Sequence, residues 1–363
     1  MDCSRVKRVL IYRLGSLGDT VVALPALHLI ERVFPQARRV LLTNMRTHAN
    51  APAAFAVVDG SGLVHDYIDY PHATRKIRDL ARVWWKIVRF RPQVVLYLTE
   101  SRGEDSLYRD RWFFRLSGAF RIVGLPWGDL AQPLYDAATD TWEHEAARLV
   151  RCLRPLGESD TLDPANWDLR LTPEEDKKAR DMLAQFRGRP LVACGPGTKM
   201  PAKDWGAENW RALLAGLSQE MPAHGLVLVG AEQDADAGNY ASAEWRGPVA
   251  NLCGRLSPRE TAAVLKRVEL FLGPDSGPMH LAAACGVPCA IAYASRSRRG
   301  HWFPVGPGHE VVYHTLPCSL CNLEVCIENR KKCLTSISVD EMIAAARKAW
   351  QHGQARLAGF RQP

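Results

Sequence analysis

An apolar run, Glu269 to Leu272, breaks at once into Gly273-Pro274-Asp275-Ser276-Gly277-Pro278 and then opens into Met279-His280-Leu281-Ala282-Ala283-Ala284. A strand, a tight turn and a helix start follow one another with no long loop between them. That order belongs to parallel βαβ units. Pro278 suits the first helical turn, where its missing N–H costs nothing, and Asp275 or Ser276 is placed to cap the helix. A helix start with bare backbone N–H groups behind a strand is an anion site. His280, inside the first turn, adds a donor.

Strand-like and helix-like segments alternate in the same way along the whole chain. In the first half the expected strands are 8–12, 39–43, 63–69, 94–99 and 121–124, and a helix is expected over 19–34 after a turn at 15–18. Residues 136–156 read as one helix. The polar stretch 157–164, with Gly157 and Pro164, has no periodicity and reads as the domain boundary. The alternation then restarts. Strands are expected at 191–194, 226–229, 249–252, 270–272, 288–293 and 311–313, and a last helix at 339–351. The chain therefore reads as α/β, with two doubly wound Rossmann-like domains, residues 1–156 and 165–338, facing a cleft. A C-terminal helical segment, 339–363, comes last. In such sheets ligands sit beyond the carboxyl ends of the strands.

Among the 363 residues, 47% are hydrophobic and 24% charged, a globular composition. No apolar run approaches the roughly 20 residues of a membrane-spanning helix. The start of the chain has no apolar signal core, so a cytoplasmic protein is expected. The net charge of +8 suits an anionic partner. The excess gathers between Arg75 and Arg121, with twelve Lys/Arg against five Asp/Glu. Over 75–92, Ile77, Leu80, Val83, Trp84, Ile87 and Val88 share one helical stripe, and Trp85 falls beside it. A basic helix with an off-core Trp suits either a solvated face or an anionic bilayer surface. Nucleic-acid binding is suggested by charge alone, since no recognisable module is present.

Four loops carry candidate chemistry. Arg13-Leu14-Gly15-Ser16-Leu17-Gly18-Asp19 joins a strand to a helix. Asp19 there is either an N-terminal cap or a reacting carboxylate at a carboxyl strand end. Gly195 to Trp205 supplies the Thr198 hydroxyl and, in Lys199 and Lys203, cations of the kind a diphosphate leaving group needs, and faces the Asp275 loop across one sheet edge. Gly230 to Asp236 places Asp234 where an acidic side chain accepts ribose hydroxyls; the D-x-D of 234–236 belongs to a single-sheet architecture. Neither half has the G-x-G-x-x-G of a nicotinamide-dependent oxidoreductase. Finally, Cys318-x2-Cys321-x4-Cys326-x6-Cys333 has one pair at ligand spacing. Zinc or iron chelation, reduced buried thiols and a labile disulfide all remain open.

These motifs, in this order, resemble the lipopolysaccharide heptosyltransferases, the family 9 glycosyltransferases. Residues 10–26 look like the N-terminal signature of that family. The resemblance implies a GT-B fold, with an acceptor domain first and a nucleotide-sugar domain second, and a final helix that commonly crosses back. It implies inverting sugar transfer without metal or other cofactor, with an ADP-linked heptose as the default donor and an anionic glycolipid or saccharide as acceptor. Peripheral contact with the inner membrane would follow. Asp19 matches the catalytic base and Arg13 a nearby cation. Lys203 and Thr198 match donor-loop contacts, and Asp234 the residue on the ribose. Asp275, Ser276, Gly277, Pro278, Met279 and His280 match the diphosphate turn. One departure is Ala23, where members acting on the lipid A core often carry His; the nearest here is His28. The remaining readings are a glycosyltransferase of the same fold using another nucleotide-sugar and a non-lipopolysaccharide acceptor, and a non-catalytic nucleotide- or saccharide-binding protein.

Overall fold

The computed structural model describes residues 3–44, 55–71, 76–100 and 102–360, with side chains as far as Arg356. The chain divides into two compact units, Met1–Ala137 with Trp142–Arg170, and Ala138–Thr141 with Leu171–Pro363. In the first unit the strands are β1 (Arg8–Tyr12), β2 (Arg38–Thr43), β3 (Asp66–Asp69), β4 (Val94–Tyr97) and β5 (Ile122–Val123). They form one parallel sheet in the order β3-β2-β1-β4-β5. The second unit has β6 (Leu191–Cys194), β7 (Gly225–Leu228), β8 (Val249–Asn251), β9 (Leu270–Pro274), β10 (Cys289–Tyr293) and β11 (Glu310–Tyr313). These are also parallel, in the order β8-β7-β6-β9-β10-β11. Central strands such as VVLY and LVAC are buried along their whole length, because helices cover both faces of a doubly wound sheet. In each sheet the order reverses beside the first strand, which opens a crevice at the carboxyl ends of β1 and β4, and of β6 and β9.

Local chemistry moved several boundaries. The helix expected over 19–34 begins at Leu17 and breaks at Ala23, giving Leu17–Val22 and Leu24–Val33. Pro25 has no N–H to continue the first ladder, but it fits the first turn of the second helix. The single helix expected over 136–156 does not form. Tyr135–Asp136 and Thr141–Trp142 are extended, Asp140 is left-handed, and the helix is only Glu145–Cys152, with the His144 ring accepting the Ala146 N–H at 3.1 Å. Of the stripe on the basic helix, Ile77–Phe90, Val83 and Ile87 reach the core while Ile77 stays 82% exposed.

The divide between units falls after Arg170, so 157–164 lies within the first unit. Side chains of the Leu24–Val33 helix hold residues 166–170 in place. Arg32 Nη1 donates to Asn166 Oδ1 at 2.6 Å, His28 Nε2 donates to the Asp168 carbonyl at 2.9 Å, and Arg170 forks onto Glu31. The final helix, Val339–Phe360, packs on β9, β10, β11 and the Ala207–Glu220 helix of its own unit. Trp350 Nε1 bonds Glu269 Oε2 at 3.0 Å, and Arg356 Nη2 bonds the Val268 carbonyl at 2.7 Å. These contacts anchor the helix on the second sheet.

Inside the first unit Glu145 is wholly buried and takes two hydrogen bonds from Arg148, at 2.6 and 2.8 Å. Burial alone would lower the Arg148 pKa, but those bonds more than reverse it and hold it above its usual range. Arg148→Met is expected to destabilise the unit by about 3 kcal/mol, the low end for a broken buried pair, because Arg13 remains 3.7 Å from Glu145. Adding Glu145→Gln should restore most of the loss. Thermal unfolding of the single and double variants reads both effects.

Candidate active site

In the first unit the chain leaves β1 through Arg13 and turns at Gly15. Asn44, just past β2, clamps that turn: its Oδ1 accepts the Gly15 N–H at 2.8 Å and its Nδ2 donates to the Gly15 carbonyl at 3.1 Å. Gly15 has φ +150°, and a Cβ there would lie 2.5 Å from the Asp19 Cβ, so only glycine fits. Ser16 caps the helix and Asp19 is its third residue. The Asp19 Oδ2 accepts the Ser16 N–H at 2.5 Å and the Ser16 hydroxyl at 2.7 Å. The cap role expected of Asp19 is thus present, on a carboxylate at a carboxyl strand end. Its side chain keeps 30% of its surface exposed, and Oδ1 lies 3.7 Å from Arg13 Nη2.

Arg13 does not present its charge outward. Its side chain is 3% exposed, Nη1 donates to the Leu98 carbonyl at 2.5 Å, and Nη2 donates to the Asp19 carbonyl at 2.7 Å. It positions the Asp19 turn. Sequence reasoning missed Ser16 and Asn44. The only signal for them was their place at carboxyl strand ends, which many polar loop residues share.

In the second unit the expected donor residues gather at the ends of three neighbouring strands, β7, β6 and β9. Lys203 Nζ meets Asp275 Oδ2 at 2.6 Å, with side-chain exposures of 16% and 6%. The expected phosphate cation thus already holds a carboxylate and ties the β6 loop to the β9 loop. Ser276 caps the Gly277–Ala284 helix by backbone geometry but makes no side-chain capping bond, and its Oγ is buried with no hydrogen-bond partner. The amides of Gly277 and Met279 complete the helix start, while Pro278 contributes none. The Met279 side chain is fully buried and belongs to the core, which leaves only its backbone at the site. His280 is also buried, its ring edge-on to Trp302 at 6.1 Å.

Thr198 turns its own loop, accepting the Met200 N–H at 3.3 Å. Asp234 accepts the Ala231 N–H at 2.8 Å and fills the space beside Gly197, where a Cβ would fall 2.2 Å from its Cγ. The β6 and β7 loops therefore interlock through a bare backbone and a carboxylate. Burial raises the Asp234 pKa, against the lowering effect of the Ala231 N–H.

A strand-end crevice at a topological switch point, beside a lysine, an unpartnered hydroxyl and a helix N-terminus, is the arrangement in which a doubly wound sheet can hold a phosphorylated ligand. Comparison with known proteins gives the particular family. Residues 135–332, just over half of the chain, match the model of glycosyltransferase family 9 (heptosyltransferase), and the chain belongs to that family. It is accordingly a glycosyltransferase. It is 22% identical over 338 residues to lipooligosaccharide heptosyltransferase 2 of Campylobacter jejuni, covering 91% of this chain and 94% of the relative. Among solved structures, the family 9 glycosyltransferase of Veillonella parvula superposes with a TM-score of 0.73 at 19% identity, covering 97% and 98% of the two chains. The ADP-heptose lps heptosyltransferase II of Escherichia coli gives 0.65 at 16%, covering 96% and 99%. Both share the two-unit GT-B architecture of this chain.

The Asp234 environment has a pH consequence. Its folded pKa is raised, so ionising it penalises the folded state. The penalty is absent below the unfolded value and complete above the folded one. Asp234→Asn keeps an acceptor for Ala231 and should raise the melting temperature at neutral pH. The gain should vanish on acidification below the ordinary aspartate range, as thermal scans across pH will read.

Proposed function

We propose that this enzyme transfers a heptosyl group from ADP-heptose to a hydroxyl of a lipopolysaccharide-core saccharide, with inversion and with no metal in the transfer step. The carrying observation is the β9 helix start, where a buried hydroxyl without a partner and open amides stand beside Lys203. That set suits the two negative charges of a departing nucleoside diphosphate. The relative in Campylobacter, similar along nearly the whole chain, supports heptosyl transfer. The donor named for the Escherichia coli neighbour supports ADP-heptose.

In the proposed step the Asp19 carboxylate takes the acceptor proton as the hydroxyl oxygen attacks the anomeric carbon. The bond from that carbon to the diphosphate breaks, and its electron pair leaves with ADP. Attack opposite the leaving group inverts the centre. Lys203, the Ser276 Oγ and the Gly277 and Met279 amides hold the diphosphate, Thr198 and His280 line the same crevice, and Asp234 faces the ribose. Arg13 keeps the Asp19 turn in place.

ADP should raise the melting temperature of the wild type more than UDP, GDP or CDP, because a ligand of the native state stabilises by mass action. Asp19→Asn keeps an acceptor for the Ser16 N–H. It should leave stability and the ADP shift unchanged while lowering kcat by about 10²–10⁴, the worth of a general base. Equal loss of ADP binding and turnover in a folded variant would make Asp19 structural only.

We also infer that the enzyme works at an anionic membrane surface, the cytoplasmic face of the inner membrane. No helix among the described residues is long and apolar enough to cross a membrane. The Ile77–Phe90 and Glu104–Leu116 helices turn Val83, Ile87, Leu107 and Phe114 into one core layer. Their outer faces leave Trp85 62% and Trp112 58% exposed among Arg78, Arg82, Lys86 and Arg109. Aromatic side chains set among cations suit the headgroup region of anionic lipid. The wild type should float with phosphatidylglycerol vesicles and not with phosphatidylcholine vesicles. A Trp85→Ser, Trp112→Ser double variant should lose that flotation and keep its turnover on a soluble acceptor.

A further inference from the structure

Strand order sets the donor residues of the second unit in a row. Asp234 is on the β7 loop, Thr198 and Lys203 are on the β6 loop, and Asp275, Ser276 and His280 follow β9. The next strand in the row is β10, and its loop includes residues 295–303. From β7 to β10 the row spans three strand spacings, about 14 Å. A sugar nucleotide is linear: ribose, two phosphates, sugar ring. With the ribose at β7 and the diphosphate at the β9 helix start, the sugar falls at the β10 loop.

That loop carries Trp302. The other tryptophans of this unit, Trp205, Trp210, Trp245 and Trp350, join the hydrophobic core or pack on it. Trp302 is half-buried, and its indole meets two histidine rings edge-on, with centroids 6.1 Å from His280 and 5.5 Å from His301. His280 belongs to the Gly277–Ala284 helix, so Trp302 leans on the diphosphate turn itself. The residues on either side of Trp302 are fixed. The His301 N–H donates to the Arg298 carbonyl at 3.2 Å. The Phe303 ring packs edge-on against Tyr293 at 4.7 Å and Tyr313 at 5.8 Å. A ring on such a base loses little freedom when a ligand lies on it.

Tyr293 ties this loop to the phosphate cation. Its hydroxyl is buried, hydrogen-bonds the Asp275 carboxylate and stands 3.3 Å from Ser297 Oγ. Asp275 therefore holds Lys203 on one side and the base of the Trp302 loop on the other. The segment 318–333 braces the loop; its four cysteines line one cavity of about 20 Å³ and form no disulfide. The Leu320 N–H donates to the Ser295 carbonyl at 2.8 Å, and the Asn322 N–H to the Arg296 carbonyl at 3.0 Å. The Arg296 side chain returns two bonds, to the Asn322 and Leu323 carbonyls at 2.7 Å each.

We propose that the 295–303 loop is the wall on which the donor's sugar ring lies, and that Trp302 stacks on the C–H face of that ring and selects the sugar transferred. The negative face of an indole attracts the polarised C–H groups of a pyranose, and ligand pockets use aromatic side chains in this way. A sugar with an axial hydroxyl on the stacked face loses the contact, so ring stereochemistry is read without a hydrogen bond. This assignment rests on the proposed sugar transfer and adds to it the residue that reads the sugar.

Calorimetry with ADP and with ADP-heptose, no acceptor present, separates the sugar's contribution from the nucleotide's. The wild type should bind ADP-heptose more tightly than ADP. Trp302→Ala should weaken ADP-heptose binding about tenfold, the worth of one ring contact, and leave ADP affinity unchanged. Trp302→Phe should recover most of that loss. In turnover, Trp302→Ala should narrow the kcat/KM preference for ADP-heptose over ADP-glucose. Where Trp302→Ala fails to fold, wild type labelled with 5-fluorotryptophan gives the answer. The fluorine resonance that Trp302→Phe removes should shift with ADP-heptose and stay in place with ADP. Equal weakening of both ligands would make Trp302 structural and overturn the assignment. Wild-type affinity for ADP-heptose in a folded Trp302→Ala, with turnover retained, would also overturn it and leave sugar transfer standing. A wild type that binds neither ADP nor ADP-heptose would overturn sugar transfer, and the assignment with it.

Discussion

The ion pair between Lys203 and Asp275 organises the second unit. Its partners come from loops far apart in sequence, and the parallel register of β6 beside β9 is what brings them together. With both side chains nearly buried, neither charge has enough water to stand alone, so the pair locks the two loops at one spacing. That lock places the Ser276 hydroxyl and the helix amides beside a cation. In the proposed reaction, a diphosphate entering this crevice would meet a site whose dipoles already point the right way. It would have to compete with Asp275 for the lysine rather than recruit it from solvent.

The first unit solves a related problem with a carboxylate. One oxygen of Asp19 is bound by Ser16, which fixes its orientation, and the carbonyl of the same residue is held by buried Arg13. A general base benefits from such restraint, because a carboxylate that need not be oriented during the reaction loses less entropy reaching it. The capping role and the proposed catalytic role are therefore compatible. The first supplies the geometry for the second, and the Arg13–Glu145–Arg148 charges beneath supply the rigidity.

The fold was largely legible. Buried parallel strands such as 8–12 and 191–194 appear as short apolar runs, and they fell where the sequence put them. The misreadings share one cause. The stretch 136–156 has helical periodicity, but the left-handed turn at Asp140 and the ring of His144 start the helix nine residues late. The stretch 157–164 is polar enough for a linker, yet Arg32, His28 and Glu31 bind Asn166, Asp168 and Arg170 just beyond it. Local composition contains neither fact, because each depends on a partner remote in the chain. Of the candidate site, the loops and their order at the strand ends could be read. That Met279 faces the core, that Arg13 is buried, and that Lys203 is held by Asp275 could not.

What the sequence alone determined is the class of the protein: two runs of alternating strands and helices, glycines and prolines at the strand ends, and a helix start suited to a phosphate. These are short-range properties, set by backbone sterics and hydrophobic period. Only the tertiary structure decided which charges neutralise one another, which side chains face the crevice, and that four cysteines spread over sixteen residues share one cavity. Those outcomes depend on strand order and on burial, which no segment carries by itself.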